Sequence, residues 1–539
     1  MPSPLGAAAA LLALLASQSP SHFAHASSSS PSPADISPMI AGFSEFVSGE
    51  GFLAVPVGTV QRPPREAKSK GKRAGQAFES QLENKDFFYA TDVNIGSPPQ
   101  RVTVLVDTGS SELWVNPDCR TALTTAQSQQ CVGFGRYDPG QSQTPPDGPF
   151  GKEVINYGDP SDQTTQTSVS IRYYRDTITL GKASIANQTF GVVSASQGQS
   201  QGILGLAPAL KGGVNSDKPY SLVLNTMAAQ GVIASRVFSL DLRHSAADQG
   251  AVIYGGVDRS KFVGRLERRP VVRGVQGEYR LAVELNTVGV TLSSKPRSFD
   301  VDGEDANVML DSGTTVSRMH SNVALPILEA LDARDDGEGY YKVPCSMART
   351  RGSVDFGFGG KTIRVPLSEF ILDLTGSSSV CYVGLVLTTD QQILGDSVLR
   401  AGYFVFDWDN EAVHVAQAAN CGKADIVAVG SGPDAVPRVT GNCREDDARP
   451  TGTDEPTRTR HSNYPTEAYT TVYTVTSCPT IDPSCKTGAV VTQTIKPGPS
   501  GIGSGGGDDN AGTRAGAARW LPVVMAALSL TMVYGGGVW

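Results

Sequence analysis

Two stretches of the chain repeat one order of residue types around an aspartate. The first is VTVLVDTGS, which contains Asp107, and the second is NVMLDSGT, which contains Asp311. In both, an apolar run precedes the aspartate, and a hydroxyl residue, a glycine and a second hydroxyl residue follow it. Glycine permits a tight bend because it lacks a Cβ atom, and the last hydroxyl is placed to hydrogen-bond the carboxylate. The residues that support each aspartate are Gly109 and Ser110 in the first turn and Gly313 and Thr314 in the second.

The repeat has a chemical use if two similar lobes face each other and each contributes one aspartate. Two carboxylates ~3 Å apart do not both ionise readily, so they share one proton. The ionised member accepts a proton from water while the protonated member donates to a substrate carbonyl, and the water attacks the amide directly. The duplicated turn therefore predicts a peptide hydrolase with Asp107 and Asp311 as its catalytic pair. This chemistry requires no metal and no organic cofactor.

Composition favours a turn-rich β protein over a helical one. The chain has 59 Gly and 34 Pro, with 39% hydrophobic and 18% charged residues. Short apolar alternations separated by turn residues run from about Phe87 to Ala418, and they predict many strands. Helical periodicity is limited mainly to 219–231 and 322–333. A net charge of −8 without a basic stripe argues against nucleic-acid binding.

Both ends of the chain resemble targeting signals. Residues 1–26 combine an apolar run with Ala24-His25-Ala26, which predicts a signal peptide. A membrane anchor is the alternative, although the run is short for the thickness of a bilayer. The apolar C-terminal stretch 520–539 has no Lys or Arg after it, and small residues begin at Asn510. This pattern predicts attachment of a glycosylphosphatidylinositol (GPI) anchor at Asn510 with removal of 511–539. A transmembrane helix is the alternative for this tail.

Eight cysteines in a secretory chain indicate disulfides. The predicted pairs are Cys119 with Cys131 and Cys345 with Cys381. The sequence leaves the pairing of four others open, namely Cys421, Cys443, Cys478 and Cys485. Asn187-Gln188-Thr189 is a sequon, which predicts N-glycosylation of Asn187.

The two aspartate turns, each with a downstream ILG (GILG at 202–205 and QILG at 392–395), resemble those of pepsin-like aspartic proteases. The resemblance covers about 87–418. It implies an all-β, bilobal fold, in which two lobes related by a pseudo-twofold axis enclose the active site in the cleft between them. It also implies a monomer that acts on protein or peptide substrates.

Further site residues follow from that resemblance. Trp114 in SSELWV matches a tryptophan that supports the family's flap, and Tyr157 in VINYGDPS matches the flap tyrosine, with Gly158 beside it. In related fungal enzymes an aspartate at the position of Asp159 accommodates Lys or Arg before the cut bond. An aspartate that faces solvent in the hairpin turn is the alternative. Pro160 stands where the family usually has glycine, which suggests a stiffer flap tip.

The order of segments resembles that of yapsin-type, GPI-anchored surface proteases of fungi. It implies transit through the secretory pathway to the outer face of the plasma membrane or the cell wall. Lys72-Arg73 is a dibasic pair after which a processing protease would cut. In such zymogens a basic propeptide residue lies near the aspartates, here one of Arg62, Arg65, Lys68 and Lys70. The predicted segments are a signal peptide (1–26), a propeptide (27–73), an N-terminal lobe (74–275), a C-terminal lobe (276–423), a flexible stalk (424–510) and a removed tail (511–539).

A non-enzymatic relative is the main alternative function. Such a protein would keep the bilobal fold as a binding or inhibitor protein at the cell wall, and it would usually lose a catalytic aspartate or its supporting hydroxyl. This chain retains both aspartates and both hydroxyls. The sequence therefore favours the enzyme.

Overall fold

Short strands account for most of the regular structure, as the turn-rich composition predicted. A computed structural model describes residues 47–61, 87–144, 146–158, 166–208, 220–243, 249–273, 279–293, 295–337, 339–373, 379–448, 469–474 and 490–495. The chain divides into two units, Met1–Arg458 and Thr459–Trp539. The first unit contains both predicted aspartate turns. The mostly β, bilobal fold predicted from the sequence is confirmed.

The strands of the first unit fall into two runs along the chain. The first run is β1 (Val47–Gly49), β2 (Phe52–Gln61), β3 (Phe87–Ile95), β4 (Gln100–Asp107), β5 (Leu113–Val115), β6 (Asp147–Tyr157), β7 (Thr167–Leu180), β8 (Ala183–Gln197), β9 (Gly202–Gly205), β10 (Val237–Asp241), β11 (Gln249–Tyr254), β12 (Gly256–Asp258) and β13 (Phe262–Pro270). The second run is β14 (Ala282–Glu284), β15 (Thr287–Leu292), β16 (Lys295–Asp300), β17 (Asn307–Leu310), β18 (Ser317–Met319), β19 (Arg334–Asp335), β20 (Tyr341–Pro344), β21 (Gly352–Phe358), β22 (Lys361–Pro366), β23 (Ile371–Leu372), β24 (Val380–Val383), β25 (Leu385–Leu387), β26 (Gln392–Leu394), β27 (Gly402–Asp407), β28 (Ala412–Ala418), β29 (Ile426–Ala428) and β30 (Thr440–Asn442).

Helices in the described residues are few and short. They are α1 (Thr125–Gly133), α2 (Val223–Ala229), α3 (Ser321–Ala330), α4 (Leu367–Phe370) and α5 (Asp396–Leu399). The two segments with helical periodicity overlap α2 and α3. Single 3-10 turns occupy Cys119–Thr121, Pro139–Gln141, Arg259–Lys261, Gly303–Ala306, Cys345–Arg349 and Glu445–Ala448.

One 15-stranded sheet extends through the first unit. Its order is β30-β13-β28-β27-β10-β11-β2-β3-β4-β9-β5-β8-β7-β6, with β1 paired to β2. The second aspartate turn belongs to a five-stranded sheet, β14-β17-β26-β18-β25. Smaller sheets join β16-β15-β21-β22, β19-β20-β24-β23 and β12-β29.

The strand that leads into the first aspartate is buried on both faces. Val104 and Val106 of β4 pack in the main core, whereas Leu105 packs in a second cluster that also contains Trp114 and Tyr173. The sequence of a strand that is buried on both faces is a nearly continuous apolar run. The run before Asp107 in the sequence therefore reflects burial from two sides.

Two of the predicted segments contain strands that pack in the first unit. Phe52–Gln61, inside the predicted propeptide 27–73, forms β2 in the middle of the large sheet. The predicted stalk at 424–510 begins with residues that pack on the lobes: β29 pairs with β12, β30 pairs with β13, and Val429 is buried. β29 and β30 have three residues each, too few to form a recognisable strand pattern in the sequence.

Three disulfides occur among the described residues. Cys119–Cys131 and Cys345–Cys381 are confirmed as predicted. The third joins Cys421 to Cys443 and ties β30 to the end of the second lobe. Cys478 and Cys485 lie outside the described residues.

The second unit has one described feature, a hairpin within the predicted stalk. Its strands are β31 (Tyr469–Thr474) and β32 (Val490–Ile495), which pair antiparallel. No helix in the described parts of the chain is long and apolar enough to cross a membrane. Several predicted features lie outside those parts, namely the signal peptide 1–26, Lys72, Arg73, Asn510 and the tail 511–539.

Burial of His414 predicts that the protein is less stable to unfolding at acidic pH. This residue of β28 is 9% exposed, and it pairs in register with Arg268. Burial, and then the Arg268 charge, lowers the pKa of the His414 imidazole to about 4. The unfolded chain, with a histidine pKa of about 6.5, takes up its proton first as the pH falls. The free energy of unfolding therefore decreases between about pH 6.5 and pH 4, by up to ~3 kcal/mol from this group.

We expect His414→Gln to reduce that loss of stability. Urea unfolding of both proteins at about pH 7 and about pH 4 measures it. The variant should show the smaller difference between the two pH values. An equal difference in the two proteins would show that His414 titrates normally.

Candidate active site

Each predicted catalytic aspartate lies at the end of a buried strand with a parallel neighbour. Asp107 is the last residue of β4, which pairs in parallel with β9, the GILG segment. Asp311 directly follows β17, which pairs in parallel with β26 of the QILG segment. The downstream ILG sequences are therefore the strands that flank the two aspartate turns.

The two turns hold their carboxylates with the same hydrogen bonds. Gly109 N–H donates to Asp107 Oδ1 at 2.8 Å, and Ser110 Oγ donates to Oδ2 at 2.5 Å. In the second turn, Gly313 N–H donates to Asp311 Oδ1 at 2.7 Å, and Thr314 Oγ1 donates to Oδ2 at 2.6 Å. The four supporting residues predicted from the sequence thus contact the aspartates as expected.

The glycines of the turns bring the two carboxylates together. A Cβ atom placed on Gly109 would lie 2.6 Å from Asp311 Cγ, and one placed on Gly313 would lie 2.7 Å from Asp107 Cγ. Each glycine therefore lies directly against the other lobe's carboxylate, where no side chain fits. The side chains of Asp107 and Asp311 are both buried, so they form one water-poor site.

The hydroxyl residue directly after each aspartate connects the two turns by hydrogen bonds. Thr108 Oγ1 donates to Leu310 O at 2.8 Å and accepts from Ser312 N–H at 2.9 Å. Ser312 Oγ donates to Val106 O at 2.9 Å and accepts from Thr108 N–H at 3.2 Å. No role for Thr108 or Ser312 was predicted from the sequence, although a hydroxyl residue directly after the aspartate in both motifs was a signal for one.

The flap strand β6 places Tyr157 beside the first aspartate turn. Trp114 Nε1 donates to Tyr157 Oη at 2.7 Å, which is the support predicted for this pair. Burial, and then the negative charge of Asp107, raises the pKa of the Tyr157 phenol, so its hydroxyl stays protonated. Gly158 follows with φ 99°, a conformation that favours glycine. Asp159 and Pro160 lie outside the described residues.

An acidic residue near the flap was not predicted from the sequence. Glu112 lies two residues before Trp114, and its charge contributes to the raised pKa of Tyr157. Burial, and then the charge of Glu153, raises the pKa of the Glu112 carboxyl. Glu153 belongs to β6, so the flap strand and the first aspartate turn each contribute a carboxylate to this region.

Breaking the bond between Trp114 and Tyr157 should weaken catalysis. We expect Tyr157→Phe to lower kcat/KM roughly 5- to 30-fold, which corresponds to about 1–2 kcal/mol for a buried hydrogen bond near the substrate. Trp114→Phe removes the same bond from the other side. The double variant should be little worse than the worse single one, because both lose one shared interaction. Fully additive losses would show that the two residues act separately.

One group of described residues brings three potential metal ligands together, Cys421, Cys443 and Asp447. The two cysteines form a disulfide, so neither offers the thiolate that binds metals. We therefore assign no metal to this group. Asn187, the predicted glycosylation site, is exposed on β8 with φ 52°.

Comparison with known proteins agrees with this geometry. A family model described as eukaryotic aspartyl protease matches residues 88–418. Candidapepsin-1 of Candida albicans is 34% identical over 393 residues, which covers 70% of this chain and 93% of that protein. Candidapepsin of Candida tropicalis is 34% identical over 354 residues, which covers 65% of this chain and 83% of that protein.

The fold is also similar to a solved structure. The crystal structure of the aspartic proteinase from Irpex lacteus matches with a TM-score of 0.50 at 22% identity, covering 68% of this chain and 97% of that one. This similarity concerns the fold alone. Together with two carboxylates held face to face by matching turns, the family match and the candidapepsins establish one conclusion: the chain belongs to the eukaryotic aspartyl protease family.

Proposed function

We propose that this protein is an acid-acting endopeptidase of the cell surface that prefers basic residues before the cut bond. The proposed catalytic activity rests on one observation, that the carboxylates of Asp107 and Asp311 lie close together. Each accepts hydrogen bonds from a glycine N–H and a hydroxyl of its own turn. One proton shared between them lets the pair activate water and protonate the substrate carbonyl in one step. The pair titrates as a unit, so the proton belongs to neither residue alone.

The proposed preference for Lys or Arg rests on acidic groups near the flap. Asp159 comes two residues after Tyr157, and its carboxylate would bind a cationic side chain by charge-assisted hydrogen bonds. Glu112 lies close enough to Tyr157 for its charge to raise the pKa of that phenol, and the charge of Glu153 in turn raises the pKa of Glu112. A cationic substrate residue would offset the repulsion between these carboxylates.

The proposed location rests on the two ends of the chain. The signal peptide 1–26 would direct secretion, and cleavage after Arg73 would process the zymogen. Attachment of a GPI anchor at Asn510 would hold the monomeric enzyme on the outer face of the plasma membrane or in the cell wall. This order of segments resembles the yapsin-type proteases, which are GPI-anchored.

Peptide-library cleavage by the secreted protein tests the proposal. We expect activity to peak at acidic pH, because the dyad needs one bound proton, and to decrease towards neutral pH. We expect Lys or Arg to be enriched before the cut bond, and Asp159→Asn to reduce that enrichment without changing the pH optimum. Activity that rises steadily to about pH 9 would refute the shared-proton mechanism. Equal cleavage of basic and neutral sequences would refute the specificity alone.

Release by a phospholipase tests the anchor separately. A phosphatidylinositol-specific phospholipase C should release the protein from intact cells, and Asn510→Gln should send it to the medium. Retention after phospholipase treatment would instead indicate a transmembrane tail.

A further inference from the structure

The inner face of the flap strand β6 carries the carboxylate of Glu153 among apolar side chains. Glu153 pairs in register with Ile171 of β7, and Phe150 pairs with Tyr173. Because directly opposite residues of antiparallel strands share a face, Glu153 lies on the side of the second cluster, which contains Ile171 and Tyr173. Its Oε2 atom is buried and has no hydrogen-bond partner among the described residues. A buried oxygen without a partner is costly, so this position calls for a functional explanation.

The segment after the first aspartate turn places a second carboxyl in the same region. Glu112 lies two residues before the buried Trp114, and burial, followed by the charge of Glu153, raises the pKa of its carboxyl. Tyr173 and Tyr220 complete the group, with ring centroids 5.3 Å apart. Burial, and then the charge of Glu112, raises the pKa of both phenols, and the charge of Glu153 adds to this effect. Four groups from four segments of the chain therefore lie close enough to interact.

The cations of the flap sheet lie on its other face. Lys152 of β6 and Arg172 of β7 pair in register, and both are exposed on the face opposite the second cluster. The remaining acidic group in the region is Asp107, whose charge acts on the phenol of Tyr157. Among the described residues, the charges that act on Glu112 and on the two tyrosines are negative. The group therefore holds two carboxyls that no described cation balances.

Protonation of this group is linked to the position of the flap strand. Two carboxyls in a water-poor site without a cation do not both ionise readily. While a proton is bound, the group carries at most one charge, and β6 lies against the turn without repulsion. When both carboxyls are ionised, their repulsion and the cost of burying two charges favour an arrangement in which β6 moves away and water enters. The arrangement seen in the structure is therefore the one that binds the proton more tightly.

We propose that Glu112 and Glu153 are positioning residues that hold the flap strand against the first aspartate turn at acidic pH and release it as the pH rises. They act through Tyr157, which β6 carries four residues after Glu153. The inference rests on the proposed endopeptidase function. It adds a control of substrate binding that is separate from the proton shared by Asp107 and Asp311, so its effect falls on KM and not on kcat.

Peptide binding to the secreted Asp107→Asn protein tests this control apart from catalysis, because that variant lacks the shared proton and leaves the peptide uncut. The probe is a capped, fluorescent peptide without titratable side chains, chosen from sequences that the wild-type enzyme cleaves. Fluorescence anisotropy should show Kd increasing at least roughly fivefold between about pH 4 and about pH 6.5, since one unit of pKa shift corresponds to a tenfold change. An unchanged Kd would overturn the inference alone. A wild-type protein that cleaves no peptide would refute the proposed function and the inference with it.

Variants of the two carboxyls test their assignment. Glu112→Gln or Glu153→Gln, added to the Asp107→Asn protein, should reduce the change in Kd to less than about twofold, because a neutral amide removes the repulsion. Glu112→Asp keeps a carboxyl and should retain most of the change. Asp147→Asn, at an exposed ion pair on the same strand, is the matched control and should retain all of it. Glutamine variants that weaken binding equally at both pH values would show a purely structural role and overturn the proposal.

Discussion

Asp107→Asn abolishes peptide hydrolysis and leaves the protein folded. Asparagine keeps the size of the side chain and can still accept from Gly109 N–H, but it cannot share a proton with Asp311. Water then lacks its general base, and general acid–base groups of this kind contribute ~10²–10⁴-fold each. We expect kcat/KM to fall at least ~10³-fold, because the pair acts as a unit.

Asp311→Asn is the matched partner of this experiment, since the second turn repeats the hydrogen bonds of the first. The two single variants and the double variant should show similar losses, because removing either carboxylate disables the pair. Circular dichroism and thermal unfolding confirm that each variant is folded. A folded Asp107→Asn protein with more than a tenth of normal activity would contradict the dyad mechanism.

Glu369→Gln lowers the free energy of unfolding by about 3–5 kcal/mol. The carboxylate of Glu369 accepts from Arg400 Nε at 3.0 Å, and the two side chains are 5% and 0% exposed. Arg400 also donates through Nη2 to the backbone oxygen of Glu369 at 2.9 Å. The glutamine variant keeps the shape of the side chain but leaves the guanidinium charge buried without this partner, which is the costly part of breaking a buried pair.

Chemical denaturation measures this loss, and a double variant checks its cause. Glu369→Leu combined with Arg400→Met removes both charges, and it should recover much of the stability lost in Glu369→Gln. The surface pair Arg175–Asp147 serves as a control, because Asp147→Asn at an exposed ion pair should cost at most ~1 kcal/mol. A Glu369→Gln protein as stable as the control would show that Arg400 is compensated by its other acidic neighbour, Asp396.

The catalytic pair could be predicted from the sequence because it is encoded twice. The glycine and the hydroxyl residue that support each aspartate lie within the same short motif. Four contacts could therefore be predicted from local sequence, and all four are present in the structure. The contacts between the turns could not be derived in this way. Thr108 and Ser312 lie 204 residues apart, and their bonds depend on how the lobes meet.

The strands inside the predicted propeptide and stalk were harder to predict than the catalytic pair. Propeptide and stalk were inferred from composition, which describes the average of a segment and misses a short strand inside it. FLAVPV lies between Ser/Pro-rich and basic sequence, and its partner in β11 is distant in the chain. Likewise, β29 and β30 have only three residues each, so their pattern is too short for detection.

The position of β2 has a consequence for biosynthesis. Gly58 pairs with Gln249, 191 residues later, so the strand is made long before its partner in β11 (249 − 58 = 191). At translation rates of ~5–20 residues per second, the apolar segment waits roughly 10–40 s for that partner. Contacts so distant in the chain form late and slow folding. The apolar stretch Leu53–Val57 therefore stays without its β11 partner until the middle of the polypeptide has been made.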